Sequence, residues 1–386
     1  MSRHALRTIT PLALTLVAGL SLAACTDKPD SSAASGASTA AGGPIRVDAT
    51  DTACELSATT AKAGTVTFQV TNTGTKVNEF YVYAEGDRIV GEVENITPGL
   101  KRELKVEVTQ PGTLTTACKP GMVGDGIRGT FTVTGSAVAG SADQKVGKAI
   151  ADYKAFVARQ TDELLTGTEA FVAAVKAGDV AKAKDLYPTA RLPWETIEPV
   201  AESFGDLDPR IDGREDVVEE GMKFTGYHRL EKDLWVTGLQ KDSNAIADQL
   251  LADVKEIAAR SKTVEPTGLT IANGAKALLD EVATGKVTGE EERYSHTDLW
   301  DFRGNLQGSQ SALDTLRPVV TERDPALQKA LDARFGELNK LLESHRVAGK
   351  FVSYEKLTDA DVKALTVSLD ALSEQVSKVP GVVEAK

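Results

Sequence analysis

The spacing of apolar residues in this chain changes once, near residue 140. From Pro44 to Gly135, apolar and polar residues alternate, as in Val66, Phe68 and Val70, and Gly and Pro separate the alternating runs. Such runs are typical of short strands that bury one face. Residues 44–135 are therefore predicted to form a small β-sandwich.

The residues after the sandwich have a helical spacing. A linker of small residues, 136–143, precedes a stripe in which Val146, Ile150, Tyr153 and Val157 recur every three or four positions. We find no convincing strand pattern in residues 144–386, so the prediction is an all-α antiparallel helical bundle. The expected helix boundaries are Gly178 as a stop and Asp179, Ser243, Asp324 (before Pro325) and Thr358 as N-caps.

The first 25 residues have the organisation of a secretion signal. A basic start is followed by an apolar run, Leu12 to Leu20, which is shorter than the about 20 residues of a membrane-spanning helix. The ending Leu22-Ala23-Ala24-Cys25 resembles a bacterial lipobox. Residues 1–25 are therefore interpreted as a lipoprotein signal peptide with Cys25 as the lipidation site. Cleavage near Ala24 that leaves a free thiol is the alternative.

The segment that follows Cys25 predicts how the folded part is held. Residues 26–43 are rich in Ser, Ala and Gly and are expected to be a flexible tether. We therefore expect an extracytoplasmic protein, anchored to the cell membrane by its lipidated Cys25, in a periplasm or at the cell surface. The formal net charge of −12 leaves no basic stripe for phosphates and argues against nucleic-acid binding.

The sandwich resembles a cupredoxin in two segments. The strand-like run Gly64–Asn72 is similar to an early cupredoxin strand, and Cys118-Lys119-Pro120-Gly121-Met122 precedes the last predicted strand, where cupredoxins carry their metal loop. A blue-copper centre requires two histidines and a cysteine. No histidine lies in the sandwich, which excludes that centre. The four histidines of the chain are His4, His228, His296 and His345.

The remaining sulfur chemistry of the sandwich rests on one pair of cysteines. With Cys25 lipidated, Cys54 and Cys118 are the two left, and an oxidising compartment favours a disulfide between them. The other interpretation is a metal site in which both sulfurs and Glu79 are ligands. Sulfur suits copper and a carboxylate suits iron. Both interpretations stay open.

Candidate metal ligands in the helical region occur at helical spacing. His228 and Glu231 are three residues apart, so both side chains project from one side of a helix and can bind one metal ion. Glu195 and Glu198 repeat this spacing with two carboxylates. Asp212 ends an acidic connecting loop.

A third segment adds a carboxylate and a second histidine. Glu292 and His296 are four residues apart and are expected on one face of a helix, which the apolar residues Leu299, Trp300 and Phe302 predict to be packed inside. The two acidic residues before Glu292 fit a solvated helix start instead.

The combination of a histidine-free cupredoxin-like domain and a helical domain with His-x-x-Glu resembles the EfeO family of iron-uptake proteins. The most specific segments are 226–231 (GYHRLE) and 294–302 (YSHTDLWDF). The resemblance implies an imelysin-like helical domain that binds iron (Fe2+ or Fe3+, with copper and zinc as alternative metals). It also implies a membrane iron permease and a haem-type peroxidase as partners. By this match the metal ligands are His228, Glu231, Glu195, Glu198, Asp212 and Glu292 (or its neighbour Glu291), with Cys54, Glu79 and Cys118 as a sandwich site.

Two other functions are weighed against iron delivery. Imelysin-like domains have been grouped with peptidases, but a His-Glu-x-x-His zinc site requires Glu after the first histidine, and Arg229 and Lys232 occupy the decisive positions here. A copper-binding redox protein that uses the sandwich is the third interpretation. We expect no enzyme, and hence no catalytic residues and no organic cofactor.

Overall fold

Two β-sheets form the N-terminal part of the described chain. A computed structural model describes residues 43–108, 110–135, 144–201, 203–205, 207–216 and 223–384. The predicted signal peptide, the lipidation site Cys25, the tether up to residue 42 and the linker 136–143 lie outside these residues. The strands are β1 Ile45–Ala49, β2 Cys54–Leu56, β3 Thr60–Lys62, β4 Gly64–Asn72, β5 Asn78–Tyr83, β6 Ile89–Ile96, β7 Lys101–Val108, β8 Gly112–Cys118 and β9 Ile127–Thr134.

The two sheets share one apolar core, as the alternating pattern predicts. One sheet has the strand order β2-β1-β4-β7 and the other β3-β9-β8-β5-β6, with β1–β4 and β3–β9 as parallel pairs. Phe68 of the first sheet lies 5.2 Å from Phe80 and 5.3 Å from Phe131 of the second, measured between ring centroids. All three rings are fully buried. The predicted β-sandwich is confirmed.

The two sheets are also joined covalently. Cys54 begins β2 in one sheet and Cys118 ends β8 in the other, and their sulfurs are bonded at 1.99 Å. A sulfur bonded to sulfur carries no thiolate charge and is a poor metal ligand. The structure therefore has the disulfide of the two open alternatives and contradicts metal ligation by Cys54 and Cys118. Glu79 lies in β5, nearly buried, and its carboxylate accepts a 3.3 Å hydrogen bond from Tyr81.

The rest of the described chain is helical, which confirms the predicted bundle. The helices are α1 Gln144–Lys176, α2 Val180–Ala201, α3 Asp208–Ile211, α4 Gly226–Lys232, α5 Ser243–Ser261, α6 Gly268–Thr284, α7 Asp298–Arg323, α8 Pro325–Glu343, α9 Asp359–Val376 and α10 Val379–Glu384. No described helix is both long enough and apolar enough to cross a membrane.

Most of the predicted helix boundaries are confirmed. Gly178 has φ +71° just after α1, and the Asp179 carboxylate accepts from the backbone N–H of Lys182. Asp324 and Thr358 cap α8 and α9 with their side chains. Ser243 is wrong as an N-cap, because it is the first residue of α5 and its hydroxyl donates to Asp233 instead.

One feature of the helical region departs from the prediction. A short hairpin follows α8. Its two strands, of two residues each, are β10 Arg346–Val347 and β11 Lys350–Phe351. Its turn residues Ala348 and Gly349 both have positive φ, as a tight hairpin turn requires. Strands this short contain too few residues for an alternating pattern, so the periodicity did not indicate them.

The disulfide yields a stability prediction. It closes a loop of 64 residues, and the chain-entropy estimate for such a loop is about 4 kcal/mol. We expect Cys54→Ser/Cys118→Ser to lower the free energy of unfolding by that order, measured by urea denaturation of the full-length protein in detergent. If the double variant and the wild type had the same transition midpoint in the absence of reductant, the disulfide would be contradicted.

Candidate metal centre

A buried cluster of charged side chains lies along α2, a helix that belongs to both apolar cores of the helical region. One core packs α2 with α1, α4 and α5, and the other packs it with α1 and α6 to α10. Trp194 belongs to the first core and Ile197 to the second. The cluster joins side chains of α2, of the segment after α3, of α4, of the loop between α6 and α7, and of α7. Its members are Arg191, Glu195, Glu198, Asp212, His228, Glu231, Lys286, Glu291, Glu292, Asp298, Asp301 and Asn305.

Two glycines allow α7 to approach α2 closely. A Cβ atom at Gly304 would overlap Glu195, and one at Gly308 would overlap the carbonyl of Thr196. Pro199 has no N–H, so the carbonyl of Glu195, four residues earlier, lacks its helical partner. Asn305 of α7 donates to that carbonyl at 2.8 Å. This contact places the Asn305 amide beside the carboxylates of α2.

A third close approach positions α4. Gly226 has φ +77°, and a Cβ atom there would overlap the carbonyl of Ile211 at the end of α3. Only glycine fits such a contact with this backbone conformation. The hydroxyls of Tyr227 and Thr168 lie 2.6 Å apart and hold α4 against α1. His228 is thereby placed beside Asp212.

His228 has one nitrogen held by a carboxylate and one without a hydrogen-bond partner. Its Nδ1 lies 3.2 Å from Glu231, and the residue is only 2% exposed. Its Nε2 is buried without a hydrogen bond and lies 3.4 Å from a Glu291 oxygen and 3.6 Å from an Asp212 oxygen. Metal-binding histidines typically have one nitrogen oriented by a carboxylate while the other faces the ion.

Glu231 is fixed by the loop between α6 and α7. One of its oxygens accepts hydrogen bonds from the backbone N–H groups of Tyr294 and Ser295, at 2.9 and 2.7 Å. The other oxygen faces His228. The predicted His-x-x-Glu pair thus lies on one side of α4, and the loop holds its carboxylate.

The expectation that Glu292 and His296 share a helix face is wrong. Residues 290–297 form turns before α7, and His296 has φ +55° there. The His296 side chain is about a third exposed and lies 3.6 Å from Glu355. Glu292 alone belongs to the cluster, where it accepts from Arg191, from Tyr187 and from the Ser295 hydroxyl.

Arg191, which the sequence analysis did not single out, is the most highly connected side chain of the cluster. Its guanidinium is fully buried and contacts five carboxylates, with oxygens of Asp212, Glu195 and Asp301 at 2.6 to 2.8 Å. Glu292 and Glu291 complete the set. The sequence contains a signal for this role, because residues 191, 195 and 198 share one helical stripe.

The cluster holds more negative than positive charge. Only Arg191 and Lys286 are permanent cations among its buried members. Burial and Glu195 raise the pKa of Glu198, and burial and Glu231 raise that of Glu292. The carboxylates of the cluster are Glu195, Glu198, Asp212, Glu231, Glu291, Glu292, Asp298 and Asp301.

The pKa of Glu291, which faces His228, shifts in the opposite direction. Burial would raise the pKa of Glu291, but the His228 imidazole 3.4 Å away and the charge of Lys286 bring it well below the usual value. Burial also opposes protonation of His228, yet the neighbouring carboxylates of Glu231 and Glu291 outweigh it and raise the His228 pKa. A cation at this position is therefore strongly favoured, whether it is a proton on the imidazole or a metal ion that replaces it.

Three groups of side chains could each hold a metal ion, because within each group one ligand atom of every member lies within 4.8 Å of the others. They are Asp212, His228 and Glu291; His228, Glu231 and Glu292; and Glu195, Glu198 and Asp212. All six predicted ligands of the helical region belong to these groups, together with Glu291. Among the described residues, Cys54, Glu79 and Cys118 belong to none of them.

A small cavity lies next to His228. Its volume is about 10 Å³, enough for one species the size of a water molecule. His228, Glu231 and Glu291 line its inner side, and Arg214, Glu215, Arg293 and Tyr294 line the rest. Arg293 and Glu215 are exposed, so part of the cavity lining reaches the protein surface.

Arg191 yields a prediction about the cluster in its metal-free form. Arg191→Ala leaves several buried carboxylates without their cation, and breaking a buried ion pair in this way costs about 3 kcal/mol or more. We expect a loss of this order in urea denaturation with a chelator present. Arg159→Ala, which removes an exposed arginine of α1, is the matched control. Equal stability of the two variants would contradict the assigned role.

Known proteins resemble the chain over most of its length. Residues 13–133 match the cupredoxin-like domain family, and residues 149–379 match the imelysin family. The iron uptake system component EfeO of Escherichia coli O1:K1 / APEC is 40% identical over 346 residues, which is 88% of this chain and 91% of that protein. EfeO of Shigella flexneri has the same identity and coverage.

A solved structure is similar in fold. It is an iron-regulated protein A precursor from Parabacteroides distasonis, which covers 64% of this chain and 96% of its own with a TM-score of 0.50 and 15% identity. At this identity the similarity concerns the fold alone. The family matches and the 40% identity to EfeO relate this chain to known proteins by sequence as well as by fold. On these grounds the chain belongs to the EfeO family, with a cupredoxin-like β-sandwich followed by a helical imelysin domain.

Proposed function

We propose that this chain is the extracytoplasmic iron-binding component of an Efe-type iron-uptake system. It captures iron, as Fe2+ or Fe3+, at the centre around His228 and delivers it to a membrane permease, with a haem-type peroxidase as a second partner. The name of its relatives, iron uptake system component, supports the role in uptake. The arrangement of the buried cluster supports the capture of a cation.

The observation that carries the proposal is the unpartnered nitrogen of His228. A buried polar atom without a hydrogen bond costs free energy, so its retention calls for a ligand. Oxygens of Asp212 and Glu291 lie within 3.6 Å of this Nε2. An ion at this position would have one imidazole nitrogen and carboxylate oxygens as ligands.

The chemistry of the donors favours iron over copper. The groups around His228 offer one nitrogen and otherwise oxygen, and hard oxygen donors suit iron, above all Fe3+. The sulfur donors that would favour copper are joined in the Cys54–Cys118 disulfide. Zinc remains the competitor with the most similar preference for imidazole and carboxylate.

Delivery requires that the ion also leaves. The cavity beside His228 is lined in part by exposed Glu215 and Arg293, so a partner that contacts this surface would touch side chains that line the proposed site. A lipid at Cys25 would keep the protein next to the membrane in which the permease lies. Both features suit a protein that exchanges its metal rather than storing it.

Peptidase activity is the alternative function for an imelysin domain. A His-Glu-x-x-His zinc site needs two histidines on one helix. In α4, Arg229 follows His228 and Lys232 lies four residues after it. Iron binding without catalysis is therefore the better-supported proposal.

The proposed ligands yield a binding prediction. His228→Ala/Glu231→Ala removes the imidazole and the carboxylate that orients it. We expect Fe2+ affinity to fall by roughly 100-fold or more, measured by anaerobic equilibrium dialysis of the full-length protein in detergent. His296→Ala/Glu355→Ala removes a close histidine–glutamate pair outside the cluster and is the matched control. If both double variants bound Fe2+ as tightly as the wild type, the centre would be wrongly assigned.

The proposed anchor is tested separately. Cys25→Ser removes the acceptor of the lipid, and we expect the protein to leave the membrane fraction on expression in a bacterial host. Mass spectrometry of the wild-type N-terminal peptide should find a diacylglyceryl-modified Cys25. An unmodified cysteine, or a Cys25→Ser protein that stays in the membrane, would exclude lipid anchoring.

A further inference from the structure

Lys286 carries a buried ammonium group that the proposed iron site does not use. It begins the short 3₁₀ turn Lys286–Thr288 after α6 and is only 1% exposed. Its Nζ donates to Glu195 at 2.6 Å and to the two oxygens of Glu198 at 3.0 and 2.8 Å. Burying an ammonium is costly, and this arrangement offsets the cost with three charged hydrogen bonds.

The ammonium lies between two members of a group that has the donors of a metal site. Carboxylate oxygens of Glu195, Glu198 and Asp212 lie within 4.8 Å of one another. Asn305 donates to Glu195 and Glu198 from its Nδ2, while its Oδ1 is buried without a hydrogen-bond partner. The unpartnered oxygen of the amide that holds both carboxylates is a further hard donor within the cluster.

Asp212 links this position to the one at His228. It belongs to the group with His228 and Glu291 and also to the group with Glu195 and Glu198. Two cation positions therefore share one carboxylate, as in helical bundles that hold two metal ions with bridging carboxylates. In this chain two buried cations fill the second group, with Lys286 between Glu195 and Glu198 and Arg191 between Glu195 and Asp212.

We propose that Lys286 occupies the second cation position of a potential two-metal centre and thereby restricts the helical domain to one iron ion per chain. The inference rests on the proposed iron site at His228 and adds what sets its stoichiometry. Replacing the ammonium by a neutral side chain of similar length leaves Glu198 without its cation and Glu195 with Arg191 alone. A second divalent cation with hard-donor preference then takes its place.

The test counts Fe2+ ions bound to the full-length protein in detergent by anaerobic equilibrium dialysis. We expect the wild type to bind one ion, Lys286→Met to bind two, and Lys286→Arg, which retains a cation, to bind one. Adding Glu198→Gln to Lys286→Met removes a ligand of the second position and should return the count to one. Adding His228→Ala to Lys286→Met should also return it to one, because only the second position then remains.

A stability measurement covers the case in which Lys286→Met folds poorly. If Fe2+ replaces the ammonium, saturating Fe2+ should raise the melting temperature of Lys286→Met by more than that of the wild type. A Lys286→Met protein that binds one ion when folded, or that stays unfolded in saturating Fe2+, overturns the role of Lys286. So does a wild type with two ions in this domain. A wild type that binds no Fe2+ contradicts the iron site itself, which separates the two failures.

Discussion

The guanidinium of Arg191 holds together carboxylates from four segments of the helical region. Asp212 follows α3, Glu291 and Glu292 lie in the loop before α7, Asp301 belongs to α7, and Glu195 is one turn along α2 from Arg191 itself. Without a cation at their centre, these buried charges would repel one another and the segments could not pack as they do. Lys286 performs the same task for Glu195 and Glu198. The proposed iron site is the part of this network in which the fixed cations leave a nitrogen and several oxygens available.

Backbone features of single residues make this packing possible. The missing N–H of Pro199 frees a carbonyl for Asn305, and Gly304 and Gly308 bring α7 onto α2. Gly226 brings α4 onto α3. Each of these residues costs helix stability in isolation, since proline and glycine disfavour helices. Their cost is offset by contacts that set the positions of Glu195, Asn305 and His228.

The fold and part of the site could be predicted from the sequence because they depend on local spacing. Period two and period 3.6 distinguish strands from helices, and the i, i+3 spacing places His228 and Glu231 on one side of α4. The helical spacing of Glu292 and His296, four residues apart, misled the prediction, because those residues lie in turns. Spacing predicts a shared face only where a helix forms. Asp212 and the carboxylates before α7 were assigned as ligands by family resemblance, since no local pattern brings distant segments together.

Other parts of the site could not be predicted because they depend on tertiary packing. Arg191 and Lys286 resemble solvated surface cations in the sequence of an acidic chain, and only tertiary packing reveals that they are buried. Whether Cys54 and Cys118 form a disulfide or a metal site depends on whether the two sheets bring the sulfurs into direct bonding contact. The structure does so, with a Cα–Cα distance of 5.6 Å.

X-ray absorption spectroscopy of the iron-loaded protein tests the central claim most directly. The account predicts a first shell of oxygen and nitrogen without sulfur, and outer-shell scattering from a single imidazole. That imidazole signal should disappear in His228→Ala and persist in His296→Ala. Sulfur in the first shell, or an imidazole signal that persists in His228→Ala, would contradict iron binding at this centre.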